Sequence, residues 1–223
     1  MAYLPLETLT HPLVITEPLS FAILLKQRDD MKRAETDKNK TPKSENLVRL
    51  YLEGTYFESA FYHYEHLKTL YALKKSVRNF GIQELRSQQH DILVSMVFCA
   101  MSAEALINYY AIERLGEKYF SDHLDRLDVV SKWAIVPRLL DREILKKGVE
   151  PLNGLQELIG WRNDLVHYKS VWKKTPMSRF HPTVRDVYRA LKTVDALAQY
   201  LKRVDEGFRV DWPKVRINKF KYD

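Results

Sequence analysis

Three side chains within one short segment could carry out acid–base and phosphate chemistry. Residues 161–169 read WRNDLVHYK and contain Arg162, Asn163 and His167. A histidine can take or give a proton near neutral pH, and an arginine can hold a phosphate through two parallel N–H donors. Asn163 precedes His167 by four residues, a spacing that brings two side chains together on a helix. We therefore take Arg162, Asn163 and His167 as the candidate catalytic residues.

The spacing of Arg162 and His167 means little without its context. In a chain with this many arginines and histidines, the expected number of chance occurrences of a bare Arg-x4-His pattern is about 0.5. Arg162 falls, however, on the apolar stripe of a predicted helix, with Leu155, Leu158, Ile159, Leu165 and Val166. An unpaired guanidinium on such a face is costly, so we expect Arg162 to pair with a carboxylate or to line a groove.

Another predicted helix offers a carboxylate. Glu104 and Asn108 are four residues apart and share one face of a largely apolar stretch. A buried glutamate needs a cation, and Arg162 is the obvious candidate. We therefore predict that Glu104 and Asn108 support the site. The alternative interpretation is a purely structural Arg162–Glu104 pair, with His167 hydrogen-bonded at a helix end.

A basic segment with aromatic residues follows the motif directly. Residues 169–181 carry a charge of +4 and residues 208–223 a charge of +3, which together equal the net charge of +7 of the whole chain. Such localised charge favours an anionic partner, nucleic acid first, although a solubilising loop and tail would look the same. The candidate RNA-binding residues are Lys169, Trp172, Lys173, Lys174 and Arg179.

Helices must position these residues. The chain has 223 residues, 45% of them apolar, and its few glycines and prolines argue against an all-β fold. The apolar periodicity predicts an all-α, up-and-down helical bundle with extra N-terminal helices. The predicted main helices span residues 44–79, 82–115, 121–127, 128–140, 150–167 and 182–204, with Ser44 as a start and Gly116 as a C-terminal cap.

The same patterns divide the chain into three parts. Residues 1–80 form an N-terminal irregular segment with helices that pack on the core, residues 81–206 form the helical core, and residues 207–223 form a basic aromatic tail.

The motif and its surroundings resemble the HEPN domain family. These domains are four- or five-helix bundles with an Arg-x4-His motif near the end of a late helix, commonly with Asn after the Arg. Arg162, Asn163 and His167 match that pattern, and residues 100–108 and 131–137 look like the family's core. The resemblance covers about residues 85–205. Some toxin members carry a Tyr two residues beyond the His, where this chain has Lys169.

The resemblance implies a metal-independent endoribonuclease. His167 would be its general acid/base, Arg162 its phosphate clamp and Asn163 the residue that orients the imidazole. Positions five apart differ by about 140° around a helix, so Arg162 and His167 converge only where the helix ends or where two chains meet. Family members are typically dimers, which implies a two-fold homodimer with a composite site.

Two further functions stay open. Many HEPN-like proteins are non-catalytic, so the second is an interaction or nucleotide-binding module that uses the same groove. The third is a toxin of a toxin-antitoxin or defence system, silenced by an antitoxin or another protein partner.

The remaining patterns predict neither a metal, a cofactor nor a membrane. Cys99 is the only cysteine, which rules out an intrachain disulfide and a Cys-based metal site. His63 and His66 offer two metal ligands on one helix face, but their aromatic neighbours favour packing. The chain has neither a signal-peptide start nor a run of about 18 uncharged apolar residues, so we expect a cytoplasmic protein with no membrane partner.

Overall fold

The structure, a computed structural model, describes residues 51–76, 81–166 and 182–218, with only the backbone for 73–76. Within these ranges the regular structure is helical and no strand occurs, which confirms the all-α prediction. The helices are α1 (Glu53–Ser76), α2 (Ile82–Leu115), α3 (Glu117–Tyr119, continued by a π turn at Phe120–Leu124), α4 (Val129–Leu139), α5 (Leu152–Val166) and α6 (Val184–Val204).

The central element is α2, which packs against α1, α4, α5 and α6. Its buried side chains include Met96, Ala103 and Ile107, and the indole N–H of Trp133 in α4 donates to the carbonyl of Ala103 at 3.1 Å. A helix that is apolar on most sides is normally enclosed by others, as α2 is. In the described part of the chain, α2 alone is long and apolar enough to cross a membrane, a test that the core helix of a soluble protein also passes.

Most helix ends lie within two residues of the expected ones. The helix predicted at residues 121–127 is wrong in its bounds, because the chain is helical from Glu117 to Leu124 and residues 125–127 are not helical. Gly116 has a φ of +86° and its N–H donates to the carbonyl of Ile112 at 2.9 Å, which confirms the predicted cap of α2. Residues 51 and 52 are not helical, so the first predicted helix is wrong there and α1 begins at Glu53; Ser44 lies outside the described residues. Pro182 precedes α6 instead of opening it, because Thr183 forms a capping box with Asp186.

The described part of the tail packs over the bundle. Phe208 and Trp212 are buried, and the ring of Trp212 lies 4.6 Å from that of Phe57 in α1. The hydroxyl of Tyr64 donates to the carbonyl of Asn218 at 2.9 Å. Residues 49–223 form one compact unit, and α1 and the tail share one core with the other helices.

Candidate functional site

The last turns of α5 hold Arg162 against α2. The Nη2 of Arg162 donates to Oε2 of Glu104 at 3.0 Å, and its Nη1 donates to Oδ1 of Asn163 at 3.1 Å. Leu155, Leu158 and Ile159 are buried on the same helix, so the apolar stripe that places Arg162 is present. The predicted pairing of Arg162 with Glu104 is confirmed.

This ion pair lies at the edge of the core. The side chains of Arg162 and Glu104 are 25% and 37% exposed, so the expectation of a buried Glu104 is wrong. The reason is the position of Arg162 near the end of α5, where Leu165 is only partly buried and Val166 is exposed. A guanidinium has five N–H donors, and the described residues engage two of them. Solvent, or an anion, can therefore reach Arg162.

One helical turn further along α2, Asn108 binds a different cation. The Nζ of Lys132, in α4, donates to Oδ1 of Asn108 at 3.0 Å and lies 5.1 Å from the centre of the Phe120 ring. Lys132 is only 2% exposed, and none of the described carboxylates forms an ion pair with it. The described partners of this buried amine are an amide and a ring, and neither carries a negative charge.

Lys132 was not among the residues predicted for the site. A signal was present, because Lys132 lies on the stripe that Val129, Trp133 and Val136 bury. A lysine on the core side of a helix is rare enough to mark a site that needs positive charge.

Together, α2, α4 and α5 form a small polar group at one edge of the bundle. Glu104 and Asn108 bring Arg162 and Lys132 to neighbouring turns of α2, about 6 Å apart along the helix axis. Glu104 compensates Arg162, so the four side chains have a formal charge of +1. The group can attract an anion, and the accessible guanidinium is the donor that could contact it.

Of the other predicted site residues, Asn163 alone lies in the described part of the chain. His167 and the candidate RNA contacts Lys169, Trp172, Lys173, Lys174 and Arg179 lie outside the described residues. Asn163 is exposed and accepts a hydrogen bond from Arg162, so its predicted role in orienting His167 stays a prediction.

A second polar cluster joins α1 to α2, far from Arg162. Asp91 accepts hydrogen bonds from two imidazoles, with His63 Nδ1 2.7 Å from Oδ1 and His66 Nδ1 2.6 Å from Oδ2. His90 Nδ1 lies 3.7 Å from Oδ1. Burial alone would raise the pKa of Asp91, but the hydrogen bonds from His63 and His66 outweigh it and hold that pKa below its ordinary value.

This cluster contains donors that could hold a metal ion. One potential ligand atom from each of His63, His90 and Asp91 lies within 4.8 Å of the other two. From the sequence, only His63 and His66 were candidate ligands. His90 and Asp91 are about 25 residues further along the chain, and the packing of α1 on α2 brings them close to His63 and His66.

Comparison with models of protein families, with curated proteins and with solved structures gave no match for this chain. The HEPN resemblance therefore stays a prediction from the sequence.

Proposed function

We propose that this protein is a HEPN-like, cytoplasmic RNA-binding protein that cleaves RNA without a metal ion at a site formed by Arg162 and His167. The observation that supports this proposal best is that Arg162 is held by hydrogen bonds and is still accessible to solvent. Its guanidinium is hydrogen-bonded to Glu104 and Asn163, yet the side chain is 25% exposed, and Arg162 precedes His167 by five residues in the sequence. A donor held in this way can bind a phosphate with little loss of side-chain entropy.

The charge around Arg162 supports a polyanionic ligand. Lys132 adds a positive charge that no described carboxylate pairs with, and the +4 segment at residues 169–181 follows α5 directly. Each lysine or arginine that contacts a phosphate releases counterions, so we expect the affinity for RNA to fall steeply as salt increases.

The proposed chemistry uses only side chains of this protein. His167 takes the proton of a ribose 2′-hydroxyl, and the 2′-oxygen attacks the adjacent phosphorus as the bond to the 5′-oxygen breaks. The leaving oxygen then receives a proton, from an imidazolium or from water. Arg162 holds the phosphate and stabilises the charge that builds up on its oxygens.

We also propose a two-fold homodimer in which each chain contributes to the RNA groove. The geometric reason is that side chains five residues apart diverge by about 140° around a helix, so a second chain would complete the site.

The test is RNA binding and cleavage by purified protein in EDTA. We expect Arg162→Ala to weaken the binding of a fluorescent single-stranded RNA about tenfold and to flatten the dependence of log K on log salt by about one unit. We expect His167→Ala to abolish cleavage while RNA still binds. The matched control is Arg189→Ala, which removes an arginine that pairs with Glu150 and Glu157 away from the site.

Two outcomes would contradict the nuclease proposal. Equal cleavage by wild type and His167→Ala would remove His167 from the reaction. Equal RNA affinity of Arg162→Ala and Arg189→Ala would remove Arg162 from the binding site.

A non-catalytic module is the second candidate, and the Arg162–Glu104 ion pair favours it. A guanidinium that already has a carboxylate partner can serve to hold α5 on α2. In that case the protein would bind RNA, a nucleotide or a protein partner such as an antitoxin, and wild type would cleave no RNA tested.

A further inference from the structure

The imidazole–carboxylate cluster between α1 and α2 lies well away from the Arg162 site. Asp91 and Glu104 are both on α2 and are 13 positions apart, which corresponds to about 20 Å along the helix axis. The cluster is therefore independent of the proposed RNA site, and none of its residues has a part in the proposed reaction.

We propose that His63, His90 and Asp91 bind one divalent transition-metal ion of the zinc class, which joins α1 to α2. Neutral imidazole and carboxylate are ligands that zinc, nickel and copper prefer, whereas magnesium and calcium prefer oxygen alone. Two imidazoles and one carboxylate leave a fourth position for water, as in open three-ligand zinc sites.

The distances fit such an ion after small adjustments. Ligand atoms around a tetrahedral zinc ion are separated by about 3.3 Å. His63 Nδ1 is 2.7 Å from Asp91 Oδ1 and His90 Nδ1 is 3.7 Å from it, so shifts of about half an ångström would bring both to that separation. The three ligand atoms lie within 4.8 Å of one another and the ring centres of His63 and His90 are 5.8 Å apart, so the two imidazoles would have to turn toward each other to bind one ion.

The surroundings of Asp91 suit a ligand site. Its carboxylate is buried, while the side chain of His90 is 68% exposed, so an ion could enter from solvent on the His90 side. His66 binds the second carboxylate oxygen, and partners of this kind fix the orientation of a metal ligand. On binding, the ion would take the place of the proton between His63 Nδ1 and Asp91 Oδ1, and His63 would bind as the neutral imidazole with its proton moved to Nε2.

The site joins two helices whose only described ion pairs with each other are those of His63 and His66 with Asp91. His63 lies on α1, and His90 and Asp91 lie on α2. Since an ion that binds only the folded protein stabilises it by mass action, zinc should raise the unfolding temperature.

The experiment uses the full chain without a histidine tag, treated with EDTA and then dialysed. Titration with ZnCl2 in a calorimeter should show one ion bound per chain, and CoCl2 should give the visible absorption of a tetrahedral site. Zinc at about 100 times its dissociation constant should raise the midpoint of thermal unfolding by about 5–10 °C.

Two histidine variants decide the outcome. His90→Ala should weaken zinc binding at least tenfold and remove the thermal shift. Because the His90 side chain is 68% exposed, the variant should keep the fold, which circular dichroism would check. His123→Ala is the matched control, because His123 is exposed, packs on the ring of Tyr119 and is not among the described residues of the cluster. Equal zinc affinity in the two variants, or no saturable binding below about 100 μM in wild type, would overturn the proposal. Neither result would bear on RNA binding at Arg162.

Discussion

The Arg162–Glu104 ion pair should stabilise the bundle by about 1 kcal/mol, and a double-mutant cycle can measure this coupling. The variants are Arg162→Gln, Glu104→Gln and the double variant, which remove each charge and keep a polar side chain; Glu104→Gln also keeps the size of the side chain. Exposed ion pairs contribute about 0.2–1 kcal/mol, and breaking a buried pair costs about 3–5 kcal/mol. With side-chain exposures of 25% and 37%, this pair falls near the upper end of the exposed class.

Urea unfolding followed by circular dichroism is the assay. For a small protein the slope of free energy against urea is about 1–3 kcal/mol/M, so a loss of 1 kcal/mol moves the midpoint by about 0.3–1 M. The control is a second cycle on Lys118 and Asp122, which pair at 2.7 Å across one helical turn. Lys118 is 90% exposed, so its coupling should be at most about 0.5 kcal/mol.

Either of two results would refute the reasoning. A coupling above about 3 kcal/mol would mean that the pair is shielded from water, and then a phosphate could not reach Arg162. A coupling no larger than that of the control would mean that Glu104 does not hold the guanidinium in place. The same Glu104→Gln variant should bind RNA more tightly than wild type, because it removes a negative charge beside the phosphate-binding donor.

Three further predictions concern the rest of the bundle. Asp205→Asn should lower the free energy of unfolding by about 2–4 kcal/mol at pH 7, since the Asp205 carboxylate is buried and accepts from Arg114 at 2.8 Å. Burial would raise the pKa of Asp205, but the hydrogen bonds from Arg114 outweigh this effect and hold the pKa below its ordinary value. The carboxylate therefore stabilises the fold fully above about pH 4, and this stabilisation is lost as the pH falls below that. Urea midpoints measured between pH 2 and 7 should decrease less steeply with acid in Asp205→Asn than in wild type. Burial raises the pKa of the Cys99 thiol, so a thiol reagent should react with it only in urea, and rapid reaction in native buffer would contradict its burial. Trp212→Ala should cost about 3–5 kcal/mol in urea unfolding, because it removes a buried ring that packs on Phe57, and a cost below 1 kcal/mol would mean that the tail is not part of the core.

Much of the fold could be predicted because its helices carry strong local signals. The bounds of α2 follow from its apolar length and from Gly116, whose positive φ only glycine adopts easily. The start of α1 could not be predicted in this way, since Tyr51 and Leu52 are residue types that also recur within the helix that follows. The packing of the tail was equally hidden, because Trp212 and Phe208 show no periodicity.

In the candidate site, too, the features that depend on one helix could be predicted, and those that depend on the packing of several helices could not. That Glu104 and Asn108 share a face follows from the helical period, and the apolar stripe of α5 indicated where Arg162 would lie. Which cation binds Glu104 and which binds Asn108 depends on how α4 and α5 pack on α2, and the sequence of a single helix does not determine that packing. The sequence indicated Arg162 as the partner of Glu104 because a carboxylate on an apolar helix needs a cation, but no pattern connected Lys132 with Asn108.

The histidine cluster shows why tertiary register limits what a sequence can reveal about metal chemistry. On α1, the spacing of His63 and His66 is visible, and two imidazoles do not define a site. The decisive ligands His90 and Asp91 come from α2, and a rotation of that helix by one residue, about 100°, would turn Asp91 away from both imidazoles. Only the packing of the two helices brings the four side chains together, so a binding measurement on His90→Ala tests that packing and the proposed metal site at once.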